Sequence, residues 1–223
     1  MSIRWPCDVL VARDVSFDLA PRSLAGPASV SGATQVVASD AGIWKATYGS
    51  IVVNKRNAVL AHRAIAALLE GRLGSIVVPL CRAWQPVPEG AVAAGLYEPV
   101  PHSDGAFFSD GSGYAIGAVI DVIAAADADI RATTLTAVVN YAGDIQPGQH
   151  FSVGERLYRI RSYDPVTGTM TIRPPLRDAV ATGDRLDFDD PVCRMRLLND
   201  DGMDLELSLR KFGTPTVQFI EDV

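Results

Sequence analysis

The chain has 223 residues, of which 48% are hydrophobic and 21% charged, and a formal charge of −6. That composition excludes a disordered chain, and the length allows one large domain or two small ones. Residues 1–100 carry 9 basic and 7 acidic side chains, whereas residues 101–223 carry 11 and 19 and no cluster of Lys and Arg interleaved with aromatics, which argues against direct nucleic-acid binding.

The opening Met1–Pro6 has no charged segment leading into an apolar core, and no stretch of about 18 apolar residues follows, so neither secretion by signal nor membrane insertion is expected. Cys7, Cys81 and Cys193 are odd in number and far apart, fitting neither a disulfide framework nor a zinc site. Val15, Phe17 and Leu19 alternate with polar or small neighbours, and so do Trp44, Ala46 and Tyr48, the period of strands with one buried face. Between them lies a Gly- and Pro-rich loop, Pro21–Pro27. Asp40-Ala41-Gly42 carries turn chemistry and predicts a hairpin between Gln35–Ala38 and Ile43–Tyr48, with Ile51–Val53 extending the second run.

A helix is predicted over Asn57–Gly71. Asn57 is placed to cap its first turn and Gly71 to end it, with Leu60, Ala64, Leu68, Ile65 and Leu69 on the packed face and His62, Arg63 and Glu70 nearer solvent. Ser75–Leu80 then returns as a strand of the same sheet. From about 82 to 113, Pro86, Pro88, Pro99 and Pro101 deny regular structure, giving a long loop of the kind that is functional or an interaction arm. Tyr114–Ile123 and Ala132–Asn140 resume as strands. Further strands are expected around a Gly154-Glu155 turn, over Thr169–Arg173 and at Gly183–Phe188, with a helical turn opened by Pro175 before the last. Cys193–Leu198, Met203–Leu209 and Thr216–Ile220 close the chain as strands.

The order from the Pro21–Pro27 loop through Gln35-Val36-Val37 and Gly42-Ile43-Trp44 to the helix and the apolar Ile76–Leu80 resembles the first domain of distal-tail proteins of tailed phages. The string from Gly148 to Phe188 is similar to a small module met in phage virion proteins. The resemblance implies a structural protein of a virion tail, made in the cytoplasm of a host bacterium. It would form a homo-oligomeric ring that adapts the tail tube protein to baseplate hub or tail fibre proteins. Other tail or head–tail connector components, or a carbohydrate-binding or hydrolytic accessory protein, are the alternative readings.

The expected architecture is mainly β with one principal helix: a β-sandwich or split-barrel domain over 1–146, a small β-barrel-like module over 147–190, and C-terminal strands over 191–223 returning to the first domain. No enzyme activity, cofactor or metal is expected. His102-Ser103-Asp104-Gly105 and Ser109-Asp110-Gly111 could collect oxygen ligands but read better as Asp-Gly turns, and no nucleophile elbow, phosphate loop or zinc helix is present. Arg159 and Arg161 are expected on a solvated barrel face beside Asp164, Asp178 and Asp184. The candidate self-association residues are Arg22, Trp44, Tyr48 and Ile51.

Overall fold

The alternation of Trp44, Ala46 and Tyr48 is realised in a strand that buries all three. The computed structural model describes residues 3–28, 30–32, 34–80, 84–89, 101–109, 119–209 and 211–223. Among these the fold is mainly β with one helix. The first sheet has the order β1-β4-β10-β11-β3-β2, with β1 Ile3–Arg4, β2 Asp14–Ala28, β3 Thr34–Gly49, β4 Ile76–Pro79, β10 Val192–Leu197 and β11 Val217–Glu221. Trp5, just after β1, is buried edge-on to Tyr48 and Phe219 at 5.6 and 5.4 Å between ring centroids, geometry that favours the positive ring edge over the negative ring face.

The expected chain reversal at Asp40-Ala41-Gly42 is not there. β3 continues through it with a bulge that sets these three residues against Pro21, because β2 offers a ladder partner on either side: Ser23 opposite Ala38 and Ala20 opposite Ile43. Gly42 serves close approach instead, since a Cβ would stand 2.9 Å from Leu19 Cγ. The reversal comes at the tip, where Gly32 takes φ 80°. The two register shifts of the ladder, between Ala20 and Arg22 and between Ala25 and Ala28, span Pro21 and Pro27, which have no N–H to contribute.

Helix α1 spans Arg56–Leu69. It starts one residue before Asn57, so Lys55 is the N-cap and makes no side-chain cap bond, while Glu70 ends the helix in the left-handed region at φ 46°. Its buried face is Ala58, His62, Ile65 and Leu69. Leu60 and Leu68 are exposed and His62 is inside, the reverse of the expected assignment.

Leu80 N donates to Pro191 O at 2.8 Å, so the chain leaves the first sheet and re-enters it at neighbouring points. Between them lies a second sheet of order β5-β6-β9-β8-β7, with β5 Asp121–Ala124, β6 Thr134–Tyr141, β7 His150–Val153, β8 Arg156–Asp164 and β9 Thr169–Arg173. Its two edge strands are bonded by one segment. Gly183 N donates to Ala124 O and Leu186 N to Val122 O on β5, and Asp187 and Ser152 exchange both backbone bonds on β7 at 2.8 and 2.9 Å. The sheet is thereby closed into a small barrel around Phe151, Tyr158, Ile160, Met170, Leu186 and Phe188.

This closure moves the expected boundary. β5 and β6 belong to the barrel rather than to the first domain, so the break lies before Asp121 and not after Gln146, while β10 and β11 pair with β4 and β3. Pro175 opens no helical turn, because the next residues are held extended: Leu176 N donates to Ala132 O and Arg131 N to Leu176 O. Met203–Leu209 forms no named strand. Of the expected long loop, 84–89 and 101–109 carry turns, and the rest of it, with the first half of the Tyr114–Ile123 strand, lies outside the described residues.

Candidate functional site

Beyond Lys45, the last β3 residue to pair with β11, β2 and β3 continue with no third strand among the described residues. They form a two-stranded arm. Its described side chains from Pro21 to Val37 are exposed on both faces apart from a half-buried Gly26, although many are apolar: Leu24 lies opposite Val37, Ala25 lies opposite Val36, and Val30 sits at the tip. Leu24 is 77% and Val37 63% exposed. An isolated hairpin is marginal in water, and toward the tip no described strand pairs with either of its edges. The arm is thus built to be covered.

The sequence singled out other residues. Arg22 is on the arm, opposite Ser39, and only its backbone is described. Trp44, Tyr48 and Ile51 are buried in the first core, so they are unavailable to a partner. Their alternation with polar neighbours reported burial within the chain, not an interface. The apolar arm residues were missed for the opposite reason: Val36-Val37 and Leu24-Ala25 run without a polar face, so no period-2 pattern marks them.

Behind the arm, a buried polar cluster joins the barrel to the first sheet. Glu221 on β11 accepts Trp44 N at 3.1 Å and Arg177 Nε and Nη2 at 2.9 Å each, a bidentate pair almost wholly out of water. Arg177 Nη2 also donates to Gly42 O, and Arg177 N donates to the Tyr158 hydroxyl at 3.0 Å. Trp44 Nε1 reaches Leu157 O on β8 at 2.8 Å. β8 has a foot in both cores: Leu157 packs in the first and Tyr158 and Ile160 in the second. Burial above all pushes the Tyr158 hydroxyl up to about 12, so it stays neutral.

Arg159 does not lie on a solvated face. Its Nε donates to His150 Nε2 at 2.8 Å, its guanidinium carbon lies 5.1 Å from the Trp44 ring centroid, and Nη2 is 3.7 Å from Asp18 Oδ1, so it spans from β8 to β2 and β3. Burial first, then the Arg159 charge, lowers His150 to about 4; the ring is neutral at pH 7 with its proton on Nδ1. Asp178 pairs with Arg156 at 3.0 Å, and Asp164 accepts Val166 N and Thr167 Oγ1 within its own turn.

The 102–105 segment is a turn: Gly105 N donates to His102 O, His102 N to Ala106 O and Ala106 N to Asp104 Oδ1. Asp110 and Gly111 lie outside the described residues, as does Cys81. Burial raises the Cys193 thiol well above its ordinary value, and desolvation raises that of Cys7. Neither is an activated nucleophile. Among the described residues no group of three or more His, Cys, Asp or Glu is placed to hold a metal ion, and no helix is long and apolar enough to cross a membrane. No protein-family model matches the chain, and no curated protein sequence does.

Proposed function

We propose that the chain is a structural subunit of the tail of a phage, prophage or gene-transfer particle, assembling as a ring that adapts the tail tube to baseplate or fibre proteins. The arm carries the assembly half of this reading. Among the described residues no strand pairs with the outer edge of β2, and none pairs with the other edge of β3 on the tip side of Gly42, so the β3 edge of one copy can pair with the β2 edge of the next. Two different edges make a head-to-tail contact, which closes into a ring when the rotation divides a full turn. Leu24, Val36 and Val37 would then be covered by neighbours. The tail assignment rests on the order and spacing of segments in the first sheet and on the Gly148–Phe188 string.

Leu24→Asp with Val37→Asp tests the proposal without touching the core, since both side chains project from the arm. Mass photometry should find the wild type in a discrete ring and the double variant as folded monomer, and electron microscopy of particles should show tails only with the wild type. A ring that forms normally with the double variant, or a wild-type protein absent from purified particles, defeats it.

A further inference from the structure

Where the 84–89 segment meets the loop before β7, a cavity of 450 Å³ opens beside Trp84, Gln85, Asp144, Gln146, Gln149 and His150. We propose that this cavity binds a neutral saccharide, with the Trp84 indole as the platform for a sugar ring and the surrounding amide, carboxylate and imidazole groups as partners for its hydroxyls. The proposal is independent of the ring assembly.

Trp84 is 92% exposed and holds φ 68°, a left-handed conformation that a bulky residue adopts only when its surroundings impose it. The imposing contacts are identifiable. Gln149 Nε2 donates to Trp84 O at 3.2 Å and, at 3.4 Å, to Asp144 O, while its Oε1 accepts Gln146 N at 2.9 Å. Gly143 N donates to Pro86 O at 2.7 Å, in an approach so close that a Cβ on Gly143 would stand 2.4 Å from Val87 O. The indole is therefore presented on a braced backbone instead of being left on a free loop. An exposed indole on a braced backbone offers a flat apolar face next to water, the surface that the axial C–H groups of a pyranose cover.

The rim supplies both donors and acceptors. Asp144 has one oxygen engaged by Gln146 Nε2 at 2.6 Å and the other open, and that amide keeps a second N–H. His150 spends Nε2 as the acceptor from Arg159, which leaves Nδ1–H as its remaining donor. Among the described residues no Lys or Arg lines the cavity and one carboxylate does, which disfavours a phosphate or sulfate ester. A proline-rich peptide prefers a groove lined by several aromatics, and this cavity has one indole.

The full-length protein is titrated by calorimetry and by tryptophan fluorescence with maltohexaose, cellohexaose, chitotetraose and, as anionic and peptide controls, inositol hexaphosphate and a proline-rich decapeptide. At least one oligosaccharide should saturate and quench the indole, and neither control should. Trp84→Ala and Gln149→Ala should each weaken binding about tenfold or more. Trp84→Ala, being exposed, should leave folding and ring assembly unchanged. Failure of all three oligosaccharides to saturate, undiminished affinity in Trp84→Ala, or preferential binding of either control overturns the proposal.

Discussion

The Glu221 carboxylate is the residue on which the joint between barrel and sheet depends. It is 2% exposed and gathers Arg177 and Trp44 N. Removing one partner of such a pair strands a charge in a poor solvent, which costs far more than losing a surface ion pair. Arg177→Met should therefore destabilise the protein by about 3–5 kcal/mol in urea unfolding. Adding Glu221→Leu should restore part of that loss, since it removes the stranded charge while Trp44 N and Gly42 O still lose their partners. A single variant within about 1 kcal/mol of wild type would show that the pair does not hold the joint. Nothing local announces this pair, because its members are 44 residues apart and meet only when β11 lies behind the barrel. Trp44 was legible as a buried strand residue; that its indole and amide both serve the joint was not.

Secondary-structure elements were easier to find than to orient. The one helix was visible from its apolar spacing, but its buried face was not, because counting His62 as polar turned the wheel toward Leu60 and Leu68. The imidazole is buried with neither nitrogen paired, and burial lowers its pKa below 6.5. His62→Leu should stabilise the helix by about 1 kcal/mol or more, by removing a buried polar group without a partner. The sign of its pH effect follows. A histidine whose folded pKa is depressed contributes no penalty above the unfolded value of 6.5 and weakens the fold as the pH drops below it. The variant's gain should thus be larger at pH 5 than at pH 7.5 in urea unfolding, and a loss at both would show that the imidazole has a partner in solution. The arm is the counterpart among the strands. Asp40-Ala41-Gly42 is good turn chemistry locally, yet a long partner strand outweighed it by offering pairing on both sides of the site.

Among the described residues the molecule has two cores, and the expected units, 1–146 and 147–190 with 191–223 returning to the first, are cut at a different place from the sheets. The Gly148–Phe188 strands were visible, but β5 and β6 were assigned to the wrong unit because short strands carry no mark of the sheet they join. Residues 119–191 should fold alone, with a dispersed amide spectrum. Residues 147–190 should not, since they lack β5, β6 and the buried Ile120, Val122 and Leu135. A dispersed spectrum from the shorter piece would show that β5 and β6 are dispensable to the barrel. The bond from Leu80 to Pro191 gives the molecule a further property. To the host sheet, everything between these residues is one connection of a β4–β10 hairpin, and a longer connection costs only logarithmically more chain entropy. The position is a socket in which whole modules can be exchanged over evolutionary time while the sheet and its arm keep the shape their neighbours require. Glu221 keys that socket: any replacement module must bring its own cation to the same carboxylate.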